Sequence, residues 1–406
     1  MEYYEFKSRN RENGKIFHGI ITAEDIESAG DNLKKRGEDI IEIAIMQDFL
    51  GIRKTIYNIS TRTKKKIKLE FFSMLKFMLE SGMSLYESLI NIRDSSIDKS
   101  LKNLARIIAD EVRQGADLST AMRKSGQFDV AMVQQINSGE EAGNICDTLV
   151  RLTEQIDREI EFKSKIKSAM MYPIIICVVM VIVLWVMMTL VVPSLADTLI
   201  SMGGELPLIT KLVISASNLM AASTPYLIIG IILLVIGYKV AVTNTDFKLK
   251  IDSLKLRIPI VGKMIEKIEL SRFCRNLSAM QKSGIALVGS LKTVQTAIKN
   301  AEISKYVEKA ATLVEISGMN LSNALAKAGS FPAMMLQLID VGINSGQICE
   351  VLDNIAVQYE KDVDVGLKRV TSLIEPIMIV VVGLLAGTVV ISIFLPMFSM
   401  TDSLEV

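Results

Sequence analysis

One histidine, His18, stands in the 406 residues, and the four cysteines lie far apart. A metal centre or a histidine-dependent catalytic pair needs a second group at a fixed spacing. No second histidine completes a site around His18, which reads as a satisfied or exposed residue of a strand. Neither a C-x-x-C pair nor a His/Cys cluster occurs, so Cys146, Cys349 and Cys177 read as small buried hydrophobes rather than ligands or disulfide partners. No G-x-x-x-x-G-K-[ST] loop and no strand-associated G-x-G-x-x-G is present, so the chain is not expected to bind and hydrolyse a nucleotide itself. Formal net charge is +1, too close to zero for a dedicated nucleic-acid binder. The N-terminus, Met1-Glu2-Tyr3-Tyr4-Glu5, is polar where a cleavable signal peptide would be apolar. No catalytic residue, no cofactor and no metal are expected.

Charge is also missing from the interiors of three apolar runs, 170–192, 226–242 and 376–396, with Lys239 at the end of the middle one. Transport or proton relay would call for ionisable groups at those depths. Half of all residues are hydrophobic and the mean hydropathy is +0.36, which fits a membrane protein with large aqueous parts. About 20 apolar residues span a bilayer, so each run is long enough or nearly so. Lys163, Lys165 and Lys167 precede the first run, Lys239, Lys248, Lys250, Lys255 and Arg257 follow or close the second, and Lys368 and Arg369 precede the third. The 193–225 loop has Lys211 as its cation, and the tail after Pro396 carries Asp402 and Glu405. Cationic flanks stay in the cytoplasm, which puts the bulk of the chain inside and the C-terminus outside.

What is abundant is repetition. Ser81-Gly82-Met83-Ser84-Leu85-Tyr86-Glu87-Ser88-Leu89 returns as Ser283-Gly284-Ile285-Ala286-Leu287-Val288-Gly289-Ser290-Leu291. Gly115-Ala116-Asp117-Leu118-Ser119 returns as Gly318-Met319-Asn320-Leu321-Ser322. Gly139, Gly143, Ile145, Cys146 and Leu149 match Gly342, Gly346, Ile348, Cys349 and Leu352, and Tyr172-Pro173 matches Glu375-Pro376, at an offset of about 203 residues. This is a duplicated domain, each copy leading into its own membrane helix. Two copies that both run from inside to outside need a return helix between them, and 226–242 supplies it. The halves are then parallel repeats, unlike the inverted repeats of many transporters.

In chain order, residues 1–50 form a small α+β module. Tyr4 and Phe6 alternate into a turn at Asn13-Gly14, Ile16, Phe17 and Ile20 return, and Thr22 with Asp25 starts a helix through Ile26, Ala29 and Leu33 to Gly37. Ile41, Ile43 and Ile45 read as a third strand. Residues 51–68 are a basic linker (Arg62, Lys64, Lys65, Lys66, Lys68), either solvated or in contact with anionic headgroups or an acidic partner. The first helical domain, 69–168, reads as about six helices, with a capping box at Ser84 and Glu87 and N-caps at Asp117 and Asn144. Then come a membrane helix at 170–192, an external loop at 193–225, a second membrane helix at 226–242 and a cytoplasmic linker at 243–269. The second helical domain, 270–370, has Asn320 for Asp117 and Pro332 at a helix start where Asp129 stands in the first, and 376–396 is the third membrane helix. Pro173 lies where a kink in a continuous helix is tolerated. Glu375 is either a boundary carboxylate reached by water or a contact to a partner's membrane segment. Gly383 and Gly387 make a small-xxx-small pattern that supports helix packing.

These segments resemble the type II secretion F family, the inner-membrane platform proteins of type IV pilus assembly and type II secretion. The resemblance covers nearly the whole chain. It rests on the two S-G-x-x-L-x-x-S-L segments, Gly139-Glu140-Glu141-Ala142-Gly143 leading to Tyr172-Pro173, Leu206-Pro207-Leu208-Ile209-Thr210, Pro259-Ile260-Val261-Gly262 ahead of Arg272-Phe273, and Glu375-Pro376. One departure is Ile343 in the second copy, where the family pattern and Glu140 have an acid. The resemblance implies a non-enzymatic scaffold that self-associates as a homodimer or higher homo-oligomer. Its expected partners are a hexameric assembly ATPase, pilin or pseudopilin subunits, other inner-membrane assembly proteins and membrane lipid, with no nucleic acid. The alternatives are a type II secretion platform acting on pseudopilins, a subunit of a membrane transporter, or a membrane signalling receptor.

Overall fold

Apolar residues recurring every three or four positions fold here as two successive bundles of six helices. The computed structural model describes residues 2–10, 16–23, 25–28, 30, 38–45, 63–194 and 245–402, with single positions 215, 217, 219, 223, 230, 233 and 237. The chain divides into two units, Met1–Lys64 with Ile236–Phe247, and Lys65–Val235 with Lys248–Val406.

In the first unit, β1 (Glu2–Asn10) lies between β2 (Ile16–Ala23) and β3 (Glu38–Ile45), antiparallel to both. Alternation turns Tyr4 to a face that it shares with Phe6, Ile40 and Ile43, the small core of the sheet. His18 stands in β2 opposite Lys7. Thr22 does not start the helix. It pairs with Tyr3 inside β2, and Asp25 does the capping instead by accepting from the Ser28 N–H at 2.7 Å. That hydrogen bond holds the exposed Asp25 carboxyl below its usual range. The turn at Asn13-Gly14, the basic end of that helix and most of the 51–68 linker lie outside the described residues.

The first bundle of the second unit comprises α1 (Lys65–Glu80), α2 (Leu85–Ser95), α3 (Lys99–Arg113), α4 (Leu118–Ser125), α5 (Val130–Glu141) and α6 (Ile145–Val186), the last continued by a π-turn at Met187–Val191. The expected basic linker ends early, because α1 starts at Lys65. Lys68 is buried, its ammonium 3.9 Å from Asp129 and 5.8 Å from the Phe128 ring centroid, two contacts that offset its desolvation. Phe71, Phe72 and Phe128 meet at centroid distances of 5.3 to 5.9 Å amid Leu75, Leu104, Ile108 and Leu152. Burying one such side chain contributes about 1.5–3 kcal/mol, so these contacts carry the bundle.

The second copy repeats the plan as α8 (Val261–Lys282), α9 (Leu287–Ala297), α10 (Ala301–Ser317), α11 (Leu321–Ala328), α12 (Ala333–Asn344) and α13 (Ile348–Asp402), with Phe273 and Phe331 at 6.4 Å in the places of Phe71 and Phe128. The expected linker 243–269 is instead largely helical. α7 (Thr245–Arg257) packs on the bundle, where the Asp252 carboxylate accepts from the Ala301 N–H at 3.1 Å and the Asn300 side-chain amide donates to the Asp252 carbonyl at 3.3 Å. Its mixed charge pattern hides this buried acid, and that is why the segment reads as a linker.

Among the described residues one helix is long and apolar enough to cross a membrane, Ile145–Ser194. Tyr172, Ile174, Ile175, Val178, Val179, Val181, Ile182, Val183 and Leu190 are exposed along it, so most of this segment presents apolar side chains outward. α13 runs unbroken through Glu375-Pro376 and the apolar stretch beyond. The 193–225 loop and the 226–242 run lie almost wholly outside the described residues.

The two copies cap their third helix differently in strength. Asp98 accepts from the N–H groups of Ser100 and Leu101 at 2.7 and 3.2 Å; Asn300 accepts from Glu302 and Ile303 and also reaches α7. Asp98→Ala is expected to cost about 1 kcal/mol, the usual loss for a cap. Asn300→Ala is expected to cost about 2 kcal/mol, because the bond from its side-chain amide to the Asp252 carbonyl of α7 is lost as well as the cap. Hydrogen exchange at the first turns of α3 and α10 in the full chain measures both.

Candidate functional site

Each bundle passes its chain to a long stem helix through a five-residue turn, Gly139–Gly143 and Gly342–Gly346. Gly143 and Gly346 take φ values of +66° and +70°, which only glycine adopts without strain, and close the turn with Asn144 and Gln347 N–H groups donating to the Gly139 and Gly342 carbonyls at 2.9 Å. Gly139 and Gly342 serve closeness rather than conformation. A Cβ at Gly139 would lie 2.4 Å from Thr148 Oγ1, and one at Gly342 would lie 3.0 Å from Val351 Cβ, so the stem crosses tight against the preceding helix. Both glycine pairs of the repeat are thereby explained as parts of one corner.

Glu140 does something its sequence position does not announce. Its carboxylate accepts from the N–H groups of Leu118 at 2.7 Å and Ser119 at 3.0 Å, capping α4 from 22 residues away. Asp117, the expected cap, makes no side-chain bond there, and neither does Asn144 at the start of α6. In the second copy, where Ile343 replaces the acid, Asn320 caps α11 itself by accepting from the Asn323 N–H at 2.9 Å. The departure at Ile343 is thus matched by a local cap, and the carboxylate's role is structural in the copy that has it. The Ser84–Glu87 capping box is present in both directions, and it holds the exposed Glu87 carboxyl below its usual range.

The stems are gripped by the first helix of each bundle. Lys65 pairs with Glu159, and at the equivalent place Lys267 pairs with Asp362 at 2.6 Å. The second copy adds Arg275, which donates from Nε and Nη2 to Glu360 Oε1 at 3.0 and 2.7 Å, with Ser271 donating to the same oxygen and Lys282 paired to Asp353. Arg272 turns the other way, to Glu269 at 2.6 Å, and Glu269 also accepts from the Lys299 N–H at 2.9 Å. Burial holds the Lys299 ammonium below its usual range, with Arg272 adding to the effect. Ahead of Arg272, Ile260 adopts φ +69° after Pro259, and Gly262 presses on the Leu256 carbonyl, a turn that leaves no room for a Cβ.

Between the bundles the contact is polar. Ser138 donates to the Ser283 carbonyl at 2.6 Å, Thr293 donates to Gln134 Oε1 at 2.6 Å, and Gln155 donates to Asn276 Oδ1 at 2.9 Å while accepting from Gln135 at 3.2 Å. Sequence reading missed this seam, since isolated amides and hydroxyls on helices read as surface; the one signal was glutamine at the core-facing position 135. The remaining motif residues do not join the corners. Tyr172 is exposed and Pro173 buried some 40 Å of helix beyond Gly143, and Glu375 and Pro376 are exposed on α13. A Cβ at Gly383 or Gly387 would meet no described atom within 4 Å, so nothing described packs on that face.

Two like bundles, each gripping a stem that runs into an apolar helix, define a duplicated membrane-anchored scaffold. The family model for the type II secretion system (T2SS), protein F, matches the chain twice, over residues 71–193 and 273–396, one match on each copy. The chain belongs to that family. It is 30% identical over its full length, and over the full length of the relative, to a type IV pilus assembly protein PilC of Thermus thermophilus. It is 32% identical to a type IV pilus assembly protein TapC of Aeromonas hydrophila across 80% of this chain and 79% of that one. A type II secretion system protein F of Pseudomonas aeruginosa is 27% identical across 81% of each.

Glu140→Ala removes the acceptor for two first-turn N–H groups and is expected to speed hydrogen exchange in α4 by roughly tenfold, corresponding to a loss of about 1–2 kcal/mol. Ile343→Ala is expected to leave α11 exchange unchanged, because Asn320 holds that cap. Exchange measured by mass spectrometry on the full chain reads both.

Proposed function

We propose that this chain is the membrane platform of a type IV pilus assembly machine, a scaffold without enzymatic chemistry of its own. The observation that carries the reading is the mechanical layout: two bundles joined by a hydrogen-bonded polar seam, each clamped by ion pairs to a stem continuous with an apolar helix. Such seams resemble transient interfaces, which move more readily than apolar ones. Full-length similarity to a pilus assembly protein supports the same reading.

In this proposal three helices cross the cytoplasmic membrane, at 170–192, 226–242 and 376–396, with the N-terminal module and both bundles inside and the C-terminus outside. A hexameric assembly ATPase engages the bundles, and the stems carry its displacement to pilin subunits in the bilayer. About 25 residues of helix before each proline reach roughly 37 Å, enough to move a membrane contact from well inside the cytoplasm. The Gly383–Gly387 face serves helix packing in the bilayer, and Glu375 lies at its cytoplasmic boundary. The second reading, a type II secretion platform acting on pseudopilins, is favoured by the Pseudomonas aeruginosa relative.

Deletion of the chain in its host, followed by electron microscopy and immunoblots for pilin and ATPase, tests the reading. Loss of fibres with both proteins still present is expected; unchanged fibres would remove the pilus function and turn the assay to protein export. Transmission through the stem is tested separately. Glu161 is exposed and pairs with Lys165 at 2.8 Å. Glu161→Pro, which breaks a helix interior at a cost of about 3 kcal/mol, should abolish fibres at normal protein levels, and Glu161→Ala should not. Fibres on the proline variant would refute rigid transmission.

A further inference from the structure

The seam between the two copies is not symmetric. It places α5 of the first copy on α8 and α9 of the second, through Ser138 to Ser283 and Gln134 to Thr293. Exchanging the copies maps α5 onto α12, and α8 and α9 onto α1 and α2. A symmetric contact would therefore also seat α12 on α1 and α2. Instead the α12 face lies open. Ala131 and Gln135 are 9% and 2% exposed in α5, whereas their counterparts Met334 and Leu338 are 71% and 39% exposed; Val341, the counterpart of the half-buried Ser138, is 60% exposed.

The chemistry of the open face is the reverse of what solvent would select. Alanine, glutamine and serine suffice where the face is covered, while methionine, leucine and valine stand where it is bare. Spaced at i, i+4 and i+7, these three form one apolar stripe on a helix whose core residues, Met335 and Ile339, point the other way. The complementary face is open as well. Ser81, the counterpart of Ser283, is exposed just past the end of α1, Asn91 stands exposed at the position where Thr293 donates to Gln134, and Phe77 in the last turn of α1 is 68% exposed. Gln337, the counterpart of Gln134, is exposed and matches the amide of Asn91 in hydrogen-bonding capacity.

We propose that the α12 stripe is the docking surface for the α1–α2 face of a second copy of this chain, so that the internal seam is repeated between chains. The argument is continuity: each chain contains one made seam and carries the two unmatched halves of another. A contact of this kind is head-to-tail, and it propagates from chain to chain until the rotation closes a ring. The surface deepens the platform reading by naming how its scaffold assembles, yet it stands or falls by itself.

Cysteine cross-linking in membranes tests it. In a background with Cys146, Cys177, Cys274 and Cys349 replaced by alanine, Ser81→Cys and Val341→Cys are placed on separately tagged chains and oxidised. A disulfide joining the two tags is expected, with neither variant cross-linking to itself, and the double variant is expected to give a ladder of dimers and larger species. Since the alanine background can fold poorly, Leu338→Glu in the native-cysteine chain provides a second readout: the mass of the reconstituted protein should shift toward monomer, by at least tenfold in the association constant, with unchanged melting. Val341→Cys pairing with itself, a monomer throughout, a mass indifferent to Leu338→Glu, or labelling of α12 by a bilayer photoprobe would each overturn the proposal. A cross-link in cells whose fibres persist after deletion of the chain would keep the surface and remove the pilus function; lost fibres without the cross-link would do the opposite.

Discussion

Each stem helix is tied at its near end to the bundle it leaves, by apolar packing and by an ion pair repeated at the same place in both copies. Lys65 with Glu159 and Lys267 with Asp362 tie the first helix of each bundle to the stem that leaves it. Exposed pairs of this kind contribute little alone, generally under 1 kcal/mol. They act here beside the apolar packing of α1 on α6 and α8 on α13, and packing supplies the strength while the pairs set the register. The second copy is held harder, with Arg275 and Ser271 sharing Glu360 and Lys282 meeting Asp353. The two bundles are therefore alike in fold and unequal in grip.

Duplication makes that inequality interpretable, because each copy is a control for the other. The corner glycines do the same work twice, one of each pair for a left-handed turn and one for a close crossing. The caps of α4 and α11 reach the same end by different routes, a remote carboxylate in one and a local asparagine in the other. An acid at position 140 thus looks, within one sequence, like a candidate for chemistry or partner binding, and its hydrogen bonds show it spent on two backbone N–H groups. The resemblance drawn from motifs was sound about the family and silent about this.

Much of the fold was legible because it is periodic. The repeat and its offset, the six-helix count of each copy, and the Ser84–Glu87 box all follow from spacing alone. The rest was hidden for physical reasons. Lys68 reads as solvent-facing in any pattern, and its burial beside Asp129 and Phe128 is a tertiary fact that local spacing does not carry. α7 reads as a linker because its single buried acid, Asp252, finds its partners 48 and 49 residues later. The polar seam joins residues more than 100 positions apart, and no local signal encodes such a pairing. The motif residues were correct as landmarks of corners and stems, but they do not converge on one centre.

Pro173 and Pro376 occupy the same register in two stems that pack beside each other, close enough for Lys165 of one to feel Asp364 and Glu360 of the other. Each proline leaves one carbonyl of the preceding turn, at Ala169 and Ser372, without its helical donor. Each stem is therefore easiest to bend at its proline, where the chain enters the apolar run rather than in the segment that the bundle grips.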